Sequence, residues 1–132
     1  MRFNAKKCHV LHLARTQSPP VRFYQINGIV LGVKQSATYL GVLISSDLGW
    51  KVHTSDLAHK AHQRLGFAWR NLRGAPFKYR ELAYTSLVRP LMEYCDTIWD
   101  PTVKDYSEKL ERVQRKAARW AKGQPYWREN HK

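Results

Sequence analysis

The sequence predicts an α+β fold: a short antiparallel hairpin and strand piece followed by a three-helix bundle. Two observations carry that prediction. The first 46 residues alternate apolar and polar side chains between turn dipeptides. After Ser45-Ser46-Asp47 the apolar repeat lengthens from two residues to about 3.6. A third, compositional observation fits it: the 132 residues are 43% hydrophobic and 12% aromatic, enough for a packed core and too apolar for wholesale disorder.

In chain order, Lys7 to Leu13 is short, apolar-rich and β-compatible, and Ser18-Pro19-Pro20 then breaks any helix. Val21 to Ile26 alternates and runs into Asn27-Gly28, a strong two-residue hairpin signal, with Ile29 to Val33 as the return strand. Thr38 to Ile44 reads as one further strand with Gly41 inside it, where a glycine marks a bulge or a close backbone approach. The first helix places Leu57, Ala61, Leu65, Ala68 and Leu72 on one face and His59, His62, Arg70 and Arg73 on the other, and Gly74-Ala75-Pro76 ends it. The second carries Leu87, Leu91, Tyr94 and Ile98 on one stripe, is kinked or divided by Pro90, and stops at Asp100-Pro101. The third shows Tyr106, Leu110, Val113, Ala117 and Trp120, supported by Glu108–Arg112 and Glu111–Arg115 pairs four residues apart. The expected organisation is a strand region over 1–46, a helical region over 47–122 and a flexible tail over 123–132.

Charge narrows the function classes. Lys and Arg total 23 against 10 Asp and Glu, a net of +13. Residues 1–46 hold six cations and no carboxylate, while the remainder holds 17 cations and all ten carboxylates. Both regions are therefore basic, and a polyanion is the expected partner, nucleic acid rather than a membrane surface. No apolar run approaches the roughly 20 residues of a membrane span. Met1 to Lys7 has no apolar signal segment, and two cysteines cannot build a disulfide framework, so an intracellular setting, nuclear or cytoplasmic, is expected. Candidate phosphate contacts are the outer-face cations Lys60, Arg64, Arg70 and Arg73 of the first helix and Arg112, Arg115, Lys116 and Arg119 of the last. Trp69, Trp99, Trp120, Tyr126 and Trp127 are interleaved with cations; Trp99 and Trp120 lie on or near apolar stripes and are expected in the core.

Catalytic chemistry finds little support. Two-metal phosphoryl chemistry needs convergent carboxylates, and the chain has no Asp-Asp pair; Asp96 and Asp100 are four apart, but Asp100 sits before Pro101 at a helix end. Cys8, His9 and His12 would fall on two faces of a strand, and His59 and His62 have no third ligand spaced to join them. Neither a Gly-x-Ser-x-Gly elbow nor a Gly-x-x-x-x-Gly-Lys loop occurs.

Four segments in order across residues 3–121 resemble a known family. Phe3-Asn4-Ala5-Lys6-Lys7-Cys8-His9-Val10 resembles the Leu-Asn-x-x-Lys-[Ser/Thr/Cys] segment that follows the catalytic aspartate loop of reverse transcriptases. Tyr39-Leu40-Gly41-Val42-Leu43-Ile44, followed by Asp47-Leu48-Gly49-Trp50, resembles the primer-grip region of non-LTR (LINE-type) retrotransposon polymerases. Leu87-Val88-Arg89-Pro90-Leu91-Met92-Glu93-Tyr94 with Trp99-Asp100-Pro101 resembles the thumb motif of that family, and Leu110-Glu111-Arg112-Val113-Gln114-Arg115-Lys116-Ala117 its next helix.

The resemblance implies a right-hand polymerase that uses Mg²⁺ to copy RNA into DNA. Residues 1–46 would be a partial palm with the primer-grip strands, and 47–122 a thumb-like region. Lys7 matches the family lysine thought to help protonate the leaving pyrophosphate, and Tyr39, Leu40, Gly41 and Val42 match the grip on the primer 3′ end. The Tyr/Phe-x-Asp-Asp loop, the earlier catalytic aspartate, the fingers and any endonuclease domain have no counterpart in the sequence. The implied function is a reverse-transcriptase fragment, inactive alone, with no cofactor of its own. Its implied partners are RNA or an RNA–DNA primer–template and the upstream polymerase region. The alternatives are a non-enzymatic nucleic-acid-binding protein derived from such an element, and a decayed open reading frame without function.

Overall fold

In the computed structural model, which describes residues 4–13, 22–99 and 104–123, short strands precede a set of helices, an α+β architecture. The chain divides into two units, Met1–His53 and Thr54–Lys132.

In the first unit Asn4 caps a 3-10 turn over Ala5–Lys7, its side chain accepting from the Lys6 N–H at 3.1 Å. Six strands follow: β1 (Val10–Leu11), β2 (Gln25–Ile26), β3 (Ile29–Val30), β4 (Val33–Lys34), β5 (Ser36–Tyr39) and β6 (Val42–Ser45). They form three two-stranded sheets. The expected strand over 7–13 shrinks to β1, and its first residue, Lys7, belongs to the 3-10 turn that Asn4 caps. β1 pairs with β4 in parallel, Val10 opposite Val33, a pairing that the alternation pattern does not encode. β2 and β3 form the expected Asn27-Gly28 hairpin, with φ of 51° and 75° at the two turn residues.

The Thr38–Ile44 segment is not one strand. Leu40 and Gly41 take φ of 47° and 84° and reverse the chain, so β5 and β6 are the two arms of a second hairpin, with Tyr39 opposite Val42. Gly41 is therefore a turn glycine, and neither a bulge nor a close approach explains it. Ser46 ties the open end of this hairpin shut through its N–H to the Gln35 carbonyl at 2.8 Å and its hydroxyl to the Gln35 amide oxygen at 2.9 Å. On the outer edge of β6, the Leu43 N–H donates to His53 Nδ1 at 3.2 Å, which satisfies an edge donor that would otherwise invite another strand.

The second unit is helical: α1 (Lys51–Asn71, its first turn in unit one), α2 (Phe77–Ala83), a π-helical turn (Tyr84–Val88), α3 (Arg89–Glu93), α4 (Asp96–Trp99) and α5 (Lys104–Ala121). Its core joins Ala58, Ala61, Leu65 and Ala68 of α1 with Val88, Met92, Val113, Ala117 and Trp120. Leu57 is also buried, and Leu72, just past the end of α1, packs partly buried against this core. The predicted α1 and α5 stripes are therefore those that pack. Trp99 and Trp120 are core residues, 2% and 3% exposed, as expected.

The predicted second-helix stripe needs correction. Leu87, Tyr94 and Ile98 are 40%, 52% and 60% exposed, and Val88 and Met92 are buried in their place. The cause is the wider π turn, which slows the angular advance of the chain and lines Val88 up with Tyr84 and Met92. Pro90 is the second residue of α3, directly after that turn, at the point where the regular helical ladder is interrupted. The helix also stops earlier than Asp100-Pro101. Tyr94 is extended and Cys95 left-handed, so α4 starts afresh at Asp96. Asp100, Pro101 and the tail beyond Gly123 lie outside the described residues. No described helix is long and apolar enough to cross a membrane.

Candidate nucleic-acid interface

Helical spacing decides which cations act together. On α5, Lys109, Arg112, Lys116 and Arg119 recur at intervals of three and four residues, which puts them on one stripe beside the buried Val113–Ala117–Trp120 face. At the rise of an α-helix the stripe is about 15 Å long, the axial length over which one strand of a duplex carries about four phosphates. Between 109 and 119 the stripe holds no carboxylate; Glu108, four residues before Arg112, borders its start, and Glu111 falls on another side of the helix.

The α1 side of this seam is polar and uncharged along much of its length. Lys109 Nζ donates to the Ser55 hydroxyl at 2.9 Å. One heptad further along both helices, Lys116 faces His62 closely enough for its charge to act on the ring. The two helices therefore run in the same direction here. Burial, then the charges of Lys116 and His59, hold the His62 pKa below the ordinary histidine value, which favours the neutral ring. His59 shares a 2.9 Å hydrogen bond with Gln63. Arg70 extends the cationic surface, its guanidinium lying over Gly66, where an added Cβ would sit 3.6 Å from Nη1. The Arg73 guanidinium lies 5.1 Å from the Trp69 ring centre, an aromatic platform with its cation attached.

The other predicted cations have structural tasks. Arg64 Nη1 donates to the Leu87 carbonyl at 3.0 Å, beside the π turn and Pro90, where the regular helical ladder is interrupted. Lys60 pairs with Asp56 at 2.8 Å on an exposed face. Arg115 pairs with Glu111 at 3.4 Å, and the expected Glu108–Arg112 pair is absent among the described ion pairs, which leaves Arg112 on the basic stripe. The eight helix cations singled out from the sequence thus separate into a seam with Arg112, Lys116, Arg119, Arg70 and Arg73, and a remainder with Lys60, Arg64 and Arg115. Lys109 completes the stripe and is not among the cations singled out from the sequence; its three-four-three spacing with Arg112, Lys116 and Arg119 is the signal that could have found it.

In the first unit, the resemblance-derived residues fall at two places. Lys7 is exposed at the end of the 3-10 turn. Tyr39, Leu40 and Gly41 form the tip of the β5–β6 hairpin, with Tyr39 67% and Leu40 74% exposed, while Val42 is buried. A leucine in left-handed conformation is costly, and an exposed leucine at a hairpin tip gains nothing from burial. Both features favour a contact surface over a folding device at the tip.

No group of three or more His, Cys, Asp or Glu among the described residues is placed to hold a metal ion. Asp96 instead accepts from the Thr97 N–H at 2.8 Å at the start of α4. Cys8 donates its thiol to the Asn4 carbonyl at 3.3 Å. No family model, no curated protein and no solved structure matches the chain.

Proposed function

We propose that this chain is a primer–template-holding piece of a non-LTR retrotransposon reverse transcriptase, comprising the end of the palm and a thumb-like helical region, and that it does not polymerise by itself. The observation that carries the reading is the α5 stripe of Lys109, Arg112, Lys116 and Arg119, flanked by Ser55 and His62. Cations at that pitch meet successive phosphates. The hairpin tip at Tyr39–Gly41 supports the primer-grip assignment, because it presents an exposed ring and turn backbone on a two-stranded support. Grip of this kind positions a strand but supplies no transfer chemistry, which requires carboxylates converging on Mg²⁺.

Filter binding to an RNA–DNA primer–template at 50 and 200 mM salt tests the reading. With about four to six phosphates neutralised, affinity falls by a few orders of magnitude across that range. Absent or salt-insensitive binding contradicts it. Preference for the hybrid over duplex DNA separates the polymerase-derived reading from that of a general basic binding protein. Primer extension with Mg²⁺ and deoxynucleotides yields no product; extension by the pure chain overturns the holding-only assignment.

A further inference from the structure

A groove of about 440 Å³ opens between α2 and α5, on the side of the helical unit away from the basic seam. Phe77, Glu81 and Tyr84 form one wall and Gln114, Ala118 and Lys122 the other, so the whole site lies within Thr54–Lys132. No residue of α2 is buried, and its Phe77 is 52% exposed. A helix of seven residues gains little from its own hydrogen bonds and depends on a covered apolar face, which the described residues do not provide. Across the groove Ala118 is exposed too, and its methyl leaves open space above α5.

The rim carries an unmatched pair of opposite charges. Arg89 is committed to Glu93 at 2.7 Å, but neither Glu81 nor Lys122 forms an ion pair among the described residues. One surface thus presents a knob and a hole, Phe77 and Ala118, together with an anion and a cation, and in neither pair does one member satisfy the other. A two-fold contact requires this, because one patch meets itself: residue i touches j while j touches i. Chain direction fits as well. From Arg80, bonded to the Trp120 carbonyl at 3.1 Å, the chain passes to Arg89 and Glu93 across the groove from Gln114, so this arm runs against α5. A two-fold axis across the helices reverses α5 and lays α2 parallel to the partner's copy of it. The Lys122 N–H donates to the Ala118 carbonyl at 3.1 Å, so helical spacing holds to Lys122. Phe77 and Glu81 are then one turn apart, as are Ala118 and Lys122, about 6 Å on both sides.

We infer that the occupant of the α2–α5 groove is a second copy of this chain: in a two-fold dimer, Phe77 of each protomer lies over the partner's Ala118, and Glu81 pairs with the partner's Lys122. Each contact occurs twice, and both α2 helices gain the cover they lack. This inference does not depend on the nucleic-acid reading, since groove and basic stripe lie on different sides of α5 and the dimer leaves the stripe open.

Sedimentation equilibrium of the full chain at about 0.15 M salt, where charges more than about 8 Å apart are screened, tests it. The wild type forms a dimer. Glu81→Lys and Lys122→Glu each set like charges against one another at two places and weaken association roughly tenfold. The double variant, Glu81→Lys with Lys122→Glu, exchanges the signs and returns to within about threefold of wild type. Ala118→Arg fills both floors and gives a single chain, and unchanged circular dichroism at low concentration shows that the variants fold. A wild type that remains a single chain up to about 0.1 mM overturns the inference, the groove then being open to an unlike partner or to none. Single exchanges that associate like wild type, a double exchange that does not recover, or association that continues past two copies also overturn it.

Discussion

Arg80 carries more structure than its sequence context suggests. Its Nε donates to the Ala75 carbonyl at 2.7 Å and its Nη1 to the Trp120 carbonyl at 3.1 Å, so one half-buried guanidinium joins the α1–α2 turn to the end of α5. Two charge-assisted bonds, one to the Ala75 loop carbonyl and one to the Trp120 carbonyl that also accepts from the Gly123 N–H, make Arg80→Ala destabilising by about 2–3 kcal/mol in urea unfolding, with Arg80→Lys recovering only part. A loss below about 0.5 kcal/mol contradicts that role. Leu40 is the opposite case. Asparagine tolerates the left-handed conformation that leucine resists, so Leu40→Asn stabilises the chain by about 1 kcal/mol while weakening primer–template binding. His62 sets a pH dependence with a definite sign. Its folded pKa lies below the ordinary 6.5, so the unfolded chain binds the proton at higher pH than the folded one. Stability attributable to the neutral ring is present above the ordinary pKa. It is lost as pH falls through 6.5 and is fully lost below the folded value. Melts of wild type against His62→Gln at pH 7.5 and 5.5 show a gap that narrows toward acid; a pH-independent gap refutes the assignment. None of these three roles is legible in the sequence, because each depends on a partner tens of residues away or on a backbone angle that its neighbours impose.

At the scale of elements, periodicity locates α1 and α5 and their buried faces, since both are long enough for the 3.6-residue repeat to be unambiguous. It fails where the repeat is broken. The π turn shifts the buried stripe from Leu87 to Val88, and nothing in Tyr84-Thr85-Ser86-Leu87-Val88 announces it beyond Pro90 nearby. Thr85 and Ser86 hydroxyls, within this turn, donate to the Glu81 and Leu82 carbonyls just before it. Among the strands, Asn27-Gly28 declares its hairpin, whereas Leu40-Gly41 does not, because leucine is a poor turn residue and the apolar flanks read as continuous. The candidate site is half legible for the same reason: cations are visible in the sequence, but which of them pair with carboxylates or cap carbonyls emerges only from the packing. The stripe assignment separates two variant classes. Neutralising Arg112 or Lys116 to Gln lowers the salt slope of binding by about 0.7–0.9 for each phosphate no longer neutralised and weakens all sequences alike. Neutralising Arg115, which is held by Glu111, changes the slope little, and Arg64→Gln lowers stability instead. Titrations over a salt series distinguish these outcomes, and equal slope changes for Arg112 and Arg115 contradict the division of the cations.

For the molecule as a whole, net charge and position of charge say different things. The +13 total predicts attraction to any polyanion, whereas the α5 stripe specifies a line of cations with the pitch of a phosphate backbone. The central claim is that this line, rather than diffuse charge, holds the primer–template. Its most direct test is the salt dependence of RNA–DNA primer–template binding, measured for wild type and for a variant with Lys109, Arg112, Lys116 and Arg119 all changed to Gln, alongside a control with Lys60, Arg64 and Arg115 changed to Gln. The slope of the stripe variant drops by roughly three, that of the control by less than about one, and both melt cooperatively. Equal drops in the two variants, or a stripe variant that keeps the wild-type slope, would show that the chain is merely basic and has no built grip.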